Sequence, residues 1–490
     1  MPKQFILALD QGTTGSRAIL IDSAGNEAGF GYHELKQYYP KPGWVEHDPI
    51  DILASVRVAI KSAVSHSRIH PRQIGAIGIT NQRESTVVWN RKTGRPCHRV
   101  IVWQGRRTAD ICDSLKRRKL EPVIHAKTGL VLDPYFSGSK IAWLLKQYPS
   151  LKSNSAMFGT MDTWLLWNLT GEHATDPTNA SRTLLYDLSK LAWDKDLLKI
   201  FNVPPSMLPR IQNSGSNFGR TRGWPGLPDG IPVTAILGDQ QAALYGQGCY
   251  GRGEMKNTYG TGCFLVVNTG PSKIFSGTGL LTTVASDSKG RPVYALEGSV
   301  FVAGALIQWL RDSMKWIKNA RESEEIARSV EDSHGVTVVP AFTGLGAPYW
   351  DARARGAILG LTRGVKPAHI IRASLEAIAF QTADLVRAMT KDLKFPISSL
   401  KVDGGASRNN FLMEFQANVL GIPVLRSHRV ESTAWGVGKL AGVTAGLWND
   451  PHQLDRKIRF DIFRPSIKKS ERNTLYKNWQ EQLKRVLTHV

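Results

Sequence analysis

The chain has 490 residues, enough for two hydrophobic cores, because single cores stop growing at roughly 250–300 residues. Hydrophobic residues make up 42% and charged residues 21%, an ordinary globular balance, and no apolar run approaches the roughly 20 residues that span a bilayer. The net charge of +22 would suit a nucleic-acid binder, but the basic residues are spread out in small clusters such as Lys116-Arg117-Arg118-Lys119 and Lys468-Lys469. No RNP motif, zinc-finger spacing or basic arm accompanies them, so a basic surface around an anionic substrate is the better account, with no nucleic acid as partner. The apolar run after Lys3 stops at Asp10, which argues against a signal peptide. Cys97, Cys112, Cys249 and Cys263 form neither a CxxC pair nor a metal-ligand spacing, which points to free thiols in a reducing cytoplasm.

In chain order, two short apolar runs, Phe5 to Leu9 and Ala18 to Ile21, flank Asp10-Gln11-Gly12-Thr13-Thr14-Gly15-Ser16-Arg17. The pattern predicts a β-hairpin whose turn exposes backbone N–H groups and hydroxyls suited to phosphate oxygens. Asp10, at the strand end, is placed to hold a phosphate-bound metal ion. A turn at Ser23-Ala24-Gly25-Asn26 predicts a third strand over Glu27 to His33, and Leu53 to Val64 reads as an amphipathic helix. Ile74 to Ile79 is a buried strand running into Asn81-Gln82-Arg83-Glu84, followed by an apolar run at Val87-Val88-Trp89. Alternating strands and helices indicate α/β layers. Arg83-Glu84 reads either as a solvated strand-end pair or as a polar clamp for a hydroxylated ligand, with Trp103 and Tyr135 as flat apolar walls.

Asn213 to Pro232 holds five glycines and three prolines without periodicity, which predicts a long surface loop. The strand Thr234 to Leu237 then delivers Asp239, placed either to cap a helix or to face a cleft, next to Gln240 with both donor and acceptor. Gly246, Gly248, Gly251 and Gly253 read as a flexible crossing between domains. Beyond it, Asn257-Thr258-Tyr259-Gly260-Thr261-Gly262-Cys263-Phe264 restarts the opening pattern, a second phosphate hairpin that implies internal duplication. Glu297 through Trp309 reads as helical, with Gly304 and Gln308 on one face where the missing side chain would admit a flat ligand. A third glycine device, Asp403-Gly404-Gly405, ends a strand and opens a helix with Phe411, Phe415 and Val419 at every fourth position.

These motifs, in this order and over nearly the whole chain, resemble the glycerol-phosphorylating members of the FGGY carbohydrate-kinase family, within the actin/hexokinase/Hsp70-like ATPase superfamily. The resemblance implies two duplicated actin-like (ribonuclease H-like) α/β domains, 1–248 and 249–490, with a nucleotide cleft between them. It implies ATP-dependent phosphorylation of glycerol to sn-glycerol 3-phosphate and ADP, with ATP and Mg²⁺ required and domain closure over the substrates. By the same resemblance, Arg83, Glu84, Tyr135, Asp239 and Gln240 bind glycerol, Trp103 and Phe264 pack on its carbons, and Asp239 is the general base. Thr13, Thr14, Gly15, Arg17 and Thr261 are implied to contact the nucleotide phosphates, Gly304, Gln308, Gly405 and Asn409 to cradle the rest of ATP or ADP, and Asp10 to hold Mg²⁺ through water.

Members of the family are homo-oligomers, so the resemblance implies a dimer or tetramer. Gly15 stands where relatives often carry Ser, leaving one phosphate contact to backbone alone. Leu227-Pro228-Asp229-Gly230 stands where regulated bacterial members carry a Gly-Gly-x-Arg effector loop, which argues against inhibition by fructose 1,6-bisphosphate. Lys468-Lys469, before a final helix striped by Leu475, Trp479, Leu483 and Leu487, argues against docking of the glucose-specific phosphocarrier. Two alternatives stand behind this reading: a sister kinase for a ketose or sugar acid, and a basic, non-catalytic binding protein.

Overall fold

The computed structural model describes residues 4–152, 155–429 and 431–488. The opening apolar run forms β1 (Phe5–Gln11), paired antiparallel with β2 (Gly15–Asp22), which pairs in turn with β3 (Glu27–Glu34). On its other edge β1 pairs in parallel with β4 (Ile74–Asn81), and β4 with β5 (Val233–Gly238), giving the order β3-β2-β1-β4-β5. Successive residues of β1 face opposite layers. Leu7 and Leu9 pack with α1 (Pro49–Ser67), whereas Ile6 and Ala8 pack with Val437, Leu440 and Ala441 of the C-terminal half. Both faces are covered, so the strand reads as a continuous apolar run rather than an alternating one.

The second sheet repeats this plan. β6 (Met255–Tyr259) and β7 (Cys263–Gly270) form the second hairpin, and β7 pairs antiparallel with β9 (Pro292–Val300). β6 pairs in parallel with β10 (Leu400–Asp403), and β10 with β11 (Val424–Ser427). Two edge strands, β8 (Leu281–Ser286) and β12 (Phe460–Phe463), complete the order β8-β9-β7-β6-β10-β11-β12. Each half is thus an antiparallel meander whose first strand continues into two parallel strands. The duplication expected from the two hairpins is a duplication of topology. Among the described residues no helix is long and apolar enough to cross a membrane.

Several local expectations are corrected. Asn213 to Pro232 is irregular but packed: Phe218, Trp224, Leu227 and Ile231 are buried in the first core, and the stretch bridges β5 at Gly215 and Ala235. Its hydrophobic residues lack periodicity because they pack singly from a winding chain. Glu297 to Val300 belongs to β9, and the helix α2 starts only at Gly304 (Gly304–Asp312), because Glu297-Gly298-Ser299 pairs with Phe264 to Val266 of β7. A short 3₁₀ turn, Gly405–Arg408, separates the third glycine device from the helix it was expected to open, Asn410–Leu420. In the final helix, Lys469–Lys484, Trp479 and Leu483 are buried, and Leu487 lies past its end.

The glycine crossing has a packing reason. Helix Asp239–Gly246 after β5 crosses Ser432–Thr444 so closely that a Cβ on Gly436 would lie 1.9 Å from the Ala242 carbonyl oxygen, and one on Gly246 would lie 2.0 Å from that of Ser432. Lys401 Nζ donates to the carbonyls of Gln247 and Gly248 at 3.0 and 3.2 Å, fixing the segment that follows. Gly436→Ala is therefore expected to lower stability by about 1–3 kcal/mol in urea unfolding. Gly277→Ala, whose Cβ would meet only Asp392 Oδ1 at 3.9 Å, should stay within about 0.5 kcal/mol of the parent. Equal effects of the two changes would show that the helix crossing tolerates separation.

Candidate active site

Parallel pairing sets the C-terminal ends of β1, β4 and β5 side by side, with Gln11 opposite Asn81 and Asn81 opposite Gly238. Asp10, Arg83-Glu84 and Asp239 therefore emerge at one edge of the sheet, where open α/β sheets bind ligands. The first hairpin closes tightly, Gly12 N–H donating to the Gly15 carbonyl at 2.9 Å. Gly15 is required there, since a Cβ would fall 2.6 Å from the Tyr32 ring. Thr13 and Thr14 form the turn and Arg17 lies directly across from Asp10 in the ladder, with Nη1 3.5 Å from its carboxylate and Nε 3.3 Å from Glu431. Burial pushes the Asp10 carboxyl up to about 6 against the pull of Arg17, with Glu431 and Asp239 adding to the rise.

Arg83 and Glu84 are both buried, so the reading as a solvated strand-end pair is wrong. Arg83 donates through Nη1 and Nη2 to the two oxygens of Glu297 at 2.6 and 2.8 Å, and through Nη1 to Gln241 at 3.2 Å. Its Nε lies 2.9 Å from Asp239 Oδ1 without an aligned hydrogen bond, so that contact is charge against charge. Glu84, in the left-handed region at φ 61°, accepts from Arg182 Nε at 2.6 Å. Arg182 Nη2 also lies 3.3 Å from Glu297. Two cations and two anions thus form a closed buried ring, with Asp239 attached to it.

Asp239 is not the helix cap; Gly238 holds that position, and Asp239 Oδ1 accepts from the N–H of Gln240 at 2.7 Å. Gln240 Oε1 accepts from Lys256 Nζ at 2.5 Å. Burial lowers the Lys256 ammonium to about 8, opposed by Asp403, Asp239 and Glu297. The aromatic walls converge: the Trp103 ring meets Tyr135 edge-on at 5.5 Å and Phe264 at 6.4 Å, and Trp103 Nε1 donates to Thr13 Oγ1 at 2.9 Å. One indole therefore touches both hairpins. Tyr135 is held by buried Lys140, which donates to the carbonyls of Pro134 and Tyr135 at 2.9 and 2.5 Å.

Of the residues expected around the nucleotide, Thr261 lies in the turn of the second hairpin and Gly304 packs against that turn. The Thr261 carbonyl accepts from Ala303 and Ala305, and Gly304 is glycine because a Cβ would stand 2.5 Å from the Gly260 carbonyl oxygen, a reason distinct from admitting a ligand. Gln308 is exposed one turn along the same helix. A Cβ on Gly405 would meet open space, and Asn409 caps its helix by accepting from Leu412 N–H at 2.9 Å. Residues the sequence reading passed over are Arg182, Glu297, Lys256, Lys140 and Glu431. For one of them a signal exists: Glu297 is the lone charge of a mainly apolar strand, which demands a buried partner.

Against known proteins, residues 5–246 match the family model described as the N-terminal domain of the FGGY family of carbohydrate kinases, and residues 255–445 match its C-terminal domain. The chain belongs to the FGGY family of carbohydrate kinases. A glycerol kinase of Halorhodospira halophila is 50% identical over 493 residues, covering 99% of this chain and 97% of the relative. The crystal structure of Plasmodium falciparum glycerol kinase with ADP superimposes with a TM-score of 0.92 at 35% identity, over 99% of both chains. A gluconate kinase from Lactobacillus acidophilus, 22% identical, shares the fold with a TM-score of 0.90, covering 99% of this chain and 98% of that one. The two-domain actin-like architecture is that of this family.

Within it, Glu297 faces two buried guanidiniums, Arg83 and Arg182. Burial alone would raise its carboxyl, but Arg182 and Arg83 outweigh that and hold it well below the ordinary carboxylate range. Its contribution to stability is then complete above the ordinary value of 4.5 and is lost as the pH falls below it. Glu297→Gln is expected to cost about 3–5 kcal/mol at pH 7, because two buried guanidiniums lose their partner. The deficit should shrink when urea unfolding is repeated between pH 5 and pH 3; a gap constant over that range would remove the ion ring from the account.

Proposed function

We infer that this chain is an ATP-dependent kinase that phosphorylates glycerol to sn-glycerol 3-phosphate with release of ADP. The observation that carries the reading is the Trp103 indole, which joins Thr13 on one hairpin to Phe264 on the other. The family, the 50% identity to glycerol kinases and the likeness to an ADP-bound glycerol kinase support the same chemistry. We propose that residues 1–248 supply the glycerol and phosphate contacts and 249–490 the nucleotide contacts, with helix Ser432–Thr444 reaching back onto the first sheet. Assembly as a dimer or tetramer and a cytoplasmic location rest on the family resemblance.

In this reading Asp239 takes the proton of the attacking hydroxyl, and Arg83, clamped by Glu297, keeps the Asp239 carboxylate turned toward it. Glu84 accepts from a second glycerol hydroxyl and Gln240 donates to a third position, while Trp103, Tyr135 and Phe264 cover the carbons and exclude water. Thr13, Thr14, Gly15, Arg17 and Thr261 present donors to the phosphates; Gly304, Gln308, Gly405 and Asn409 line the nucleotide. Asp10 fits Mg²⁺: it is one carboxylate at a strand end, and the described residues contain no group of three or more His, Cys, Asp or Glu side chains that would make an all-protein cage. Magnesium typically takes one or two carboxylates and completes its shell with phosphate and water. Bound there, the ion would neutralise charge on the transferring phosphoryl group.

ADP release with Mg-ATP against glycerol, dihydroxyacetone, xylulose, ribulose and gluconate tests the reading. Glycerol should give the highest kcat/KM, and Asp239→Asn should lose on the order of 10²–10⁴-fold in kcat while keeping its melting temperature. A pentulose or gluconate as best substrate would move the chain to a sister specificity, and no turnover with any of the five would end the kinase assignment of this pocket. Chelation with EDTA should abolish turnover and added Mg²⁺ should restore it; full activity in EDTA would remove the role given to Asp10.

A further inference from the structure

Lys256 is a lysine with no exposed surface, on the strand of the second hairpin, and it lies outside every role assigned above. Its three N–H donors are all spent: on Gln240 Oε1 at 2.5 Å, on Thr258 Oγ1 at 2.9 Å and on the Phe264 carbonyl at 3.2 Å. An ammonium with every proton committed has nothing left to give a substrate, so it cannot act on the reacting atoms directly. Its effect must pass through what it holds.

What it holds is the orientation of one amide. An ammonium has no acceptor, so the Gln240 atom facing it must be the carbonyl oxygen, and the NH₂ group must point the other way. That NH₂ group makes no hydrogen bond within the described residues, and it sits one residue after Asp239, whose carboxylate its own backbone N–H contacts. Gln240 therefore offers the cleft donors only, next to an Asp239 that offers acceptors only. The sequence allowed either polarity for Gln240; Lys256 removes the choice. The contact also crosses the two halves of the chain, because Gln240 follows β5 whereas Lys256, Thr258 and Phe264 lie on the second hairpin, and the Phe264 ring forms part of the aromatic wall against Trp103.

We propose that Lys256 is a positioning residue that locks Gln240 as a hydrogen-bond donor toward a glycerol hydroxyl and ties that donor to the second hairpin. The proposal rests on the glycerol-kinase reading of the same pocket. Without Lys256 the amide can turn over and present its oxygen to a site built for an acceptor, which weakens glycerol binding and leaves the nucleotide side intact.

The test is a steady-state cycle on the purified full-length protein with Lys256→Met, Gln240→Ala and the double variant, with Gln240→Glu as a fourth. Lys256→Met is expected to raise the KM for glycerol about tenfold, the loss of roughly one good hydrogen bond, with the KM for ATP changed less than about twofold. In the Gln240→Ala background the same lysine change should add less than about twofold, because the group it orients is gone. Gln240→Glu keeps the partner of Lys256 and removes both donors, so it should raise the glycerol KM as much as Gln240→Ala does, and it answers the question even if the methionine variant fails to fold. Fully additive effects, an unchanged glycerol KM in Lys256→Met, or wild-type glycerol binding in Gln240→Glu would each overturn the proposal. If the parent protein itself does not turn over glycerol, the pocket reading fails first.

Discussion

The bidentate pair between Arg83 and Glu297 joins residues 214 positions apart, one from each half of the chain, in a place without solvent. Charges so deeply buried persist only when paired and hydrogen-bonded, since each carries a desolvation cost of several kcal/mol. That requirement propagates. Arg83 needs Glu297; Glu297, facing two guanidiniums, needs Arg182 as well; Arg182 in turn fixes Glu84. The Nε edge of Arg83 makes no hydrogen bond within the ring, and that edge faces Asp239. The relative placement of the two sheets and the aim of the proposed base are consequently one constraint.

The parts of this arrangement that depend on neighbours in sequence were legible without coordinates. Both hairpins, the meander strand after the first, the buried strand leading to Arg83-Glu84 and the helix after Asp403 follow from apolar runs punctuated by Gly and Thr. The opposite polarity of successive residues in β1 was not legible, because a strand covered on both faces shows no alternation. Partners of the site charges were invisible for a different reason. Nothing near Arg83 names Glu297, and nothing near Gln240 names Lys256, since those pairings are set by which strands adjoin. Glu297 was further disguised by Gly298 and Ser299, which weaken a strand pattern that only the pairing with β7 restores. Glycines hid their neighbours in the same way. Gly304 and Gly246, read as space for a ligand and as part of a flexible crossing, are each also a point where two backbones touch.

Topological duplication gives the two hairpins equivalent positions in the two sheets without making them equivalent chemically. In the first, the residue across from the strand-end Asp10 is Arg17, so the turn carries a balanced pair. In the second, Thr258 and Phe264 face one another and share Lys256, so the turn carries a buried cation that looks inward to the substrate pocket. The two turns thus differ in where their charge lies, half-buried and paired in the first, fully buried in the second. Trp103 spans the two, and its edge contacts with Tyr135 and Phe264 place apolar surface where a carbon chain would lie.

A substrate as small as glycerol offers three hydroxyls and three carbons, too little surface to organise a flexible site through its own binding energy. Selectivity has to be prepared before it arrives, in donors and acceptors whose directions are already fixed. The buried ring fixes the acceptors, Glu84 and Asp239, and one donor edge, Arg83; Lys256 fixes the other donor, Gln240. Arg83, Glu84 and Gln240 are each oriented by a buried charge outside the proposed glycerol contacts (Glu297, Arg182 and Lys256), whereas Asp239 faces Arg83 itself. A hydroxyl presented in the wrong place would leave one of them unpaired in a low-dielectric pocket, which costs more than a correct contact gains. Rejection of other polyols would then come from the same groups that hold glycerol, with no additional residue devoted to exclusion.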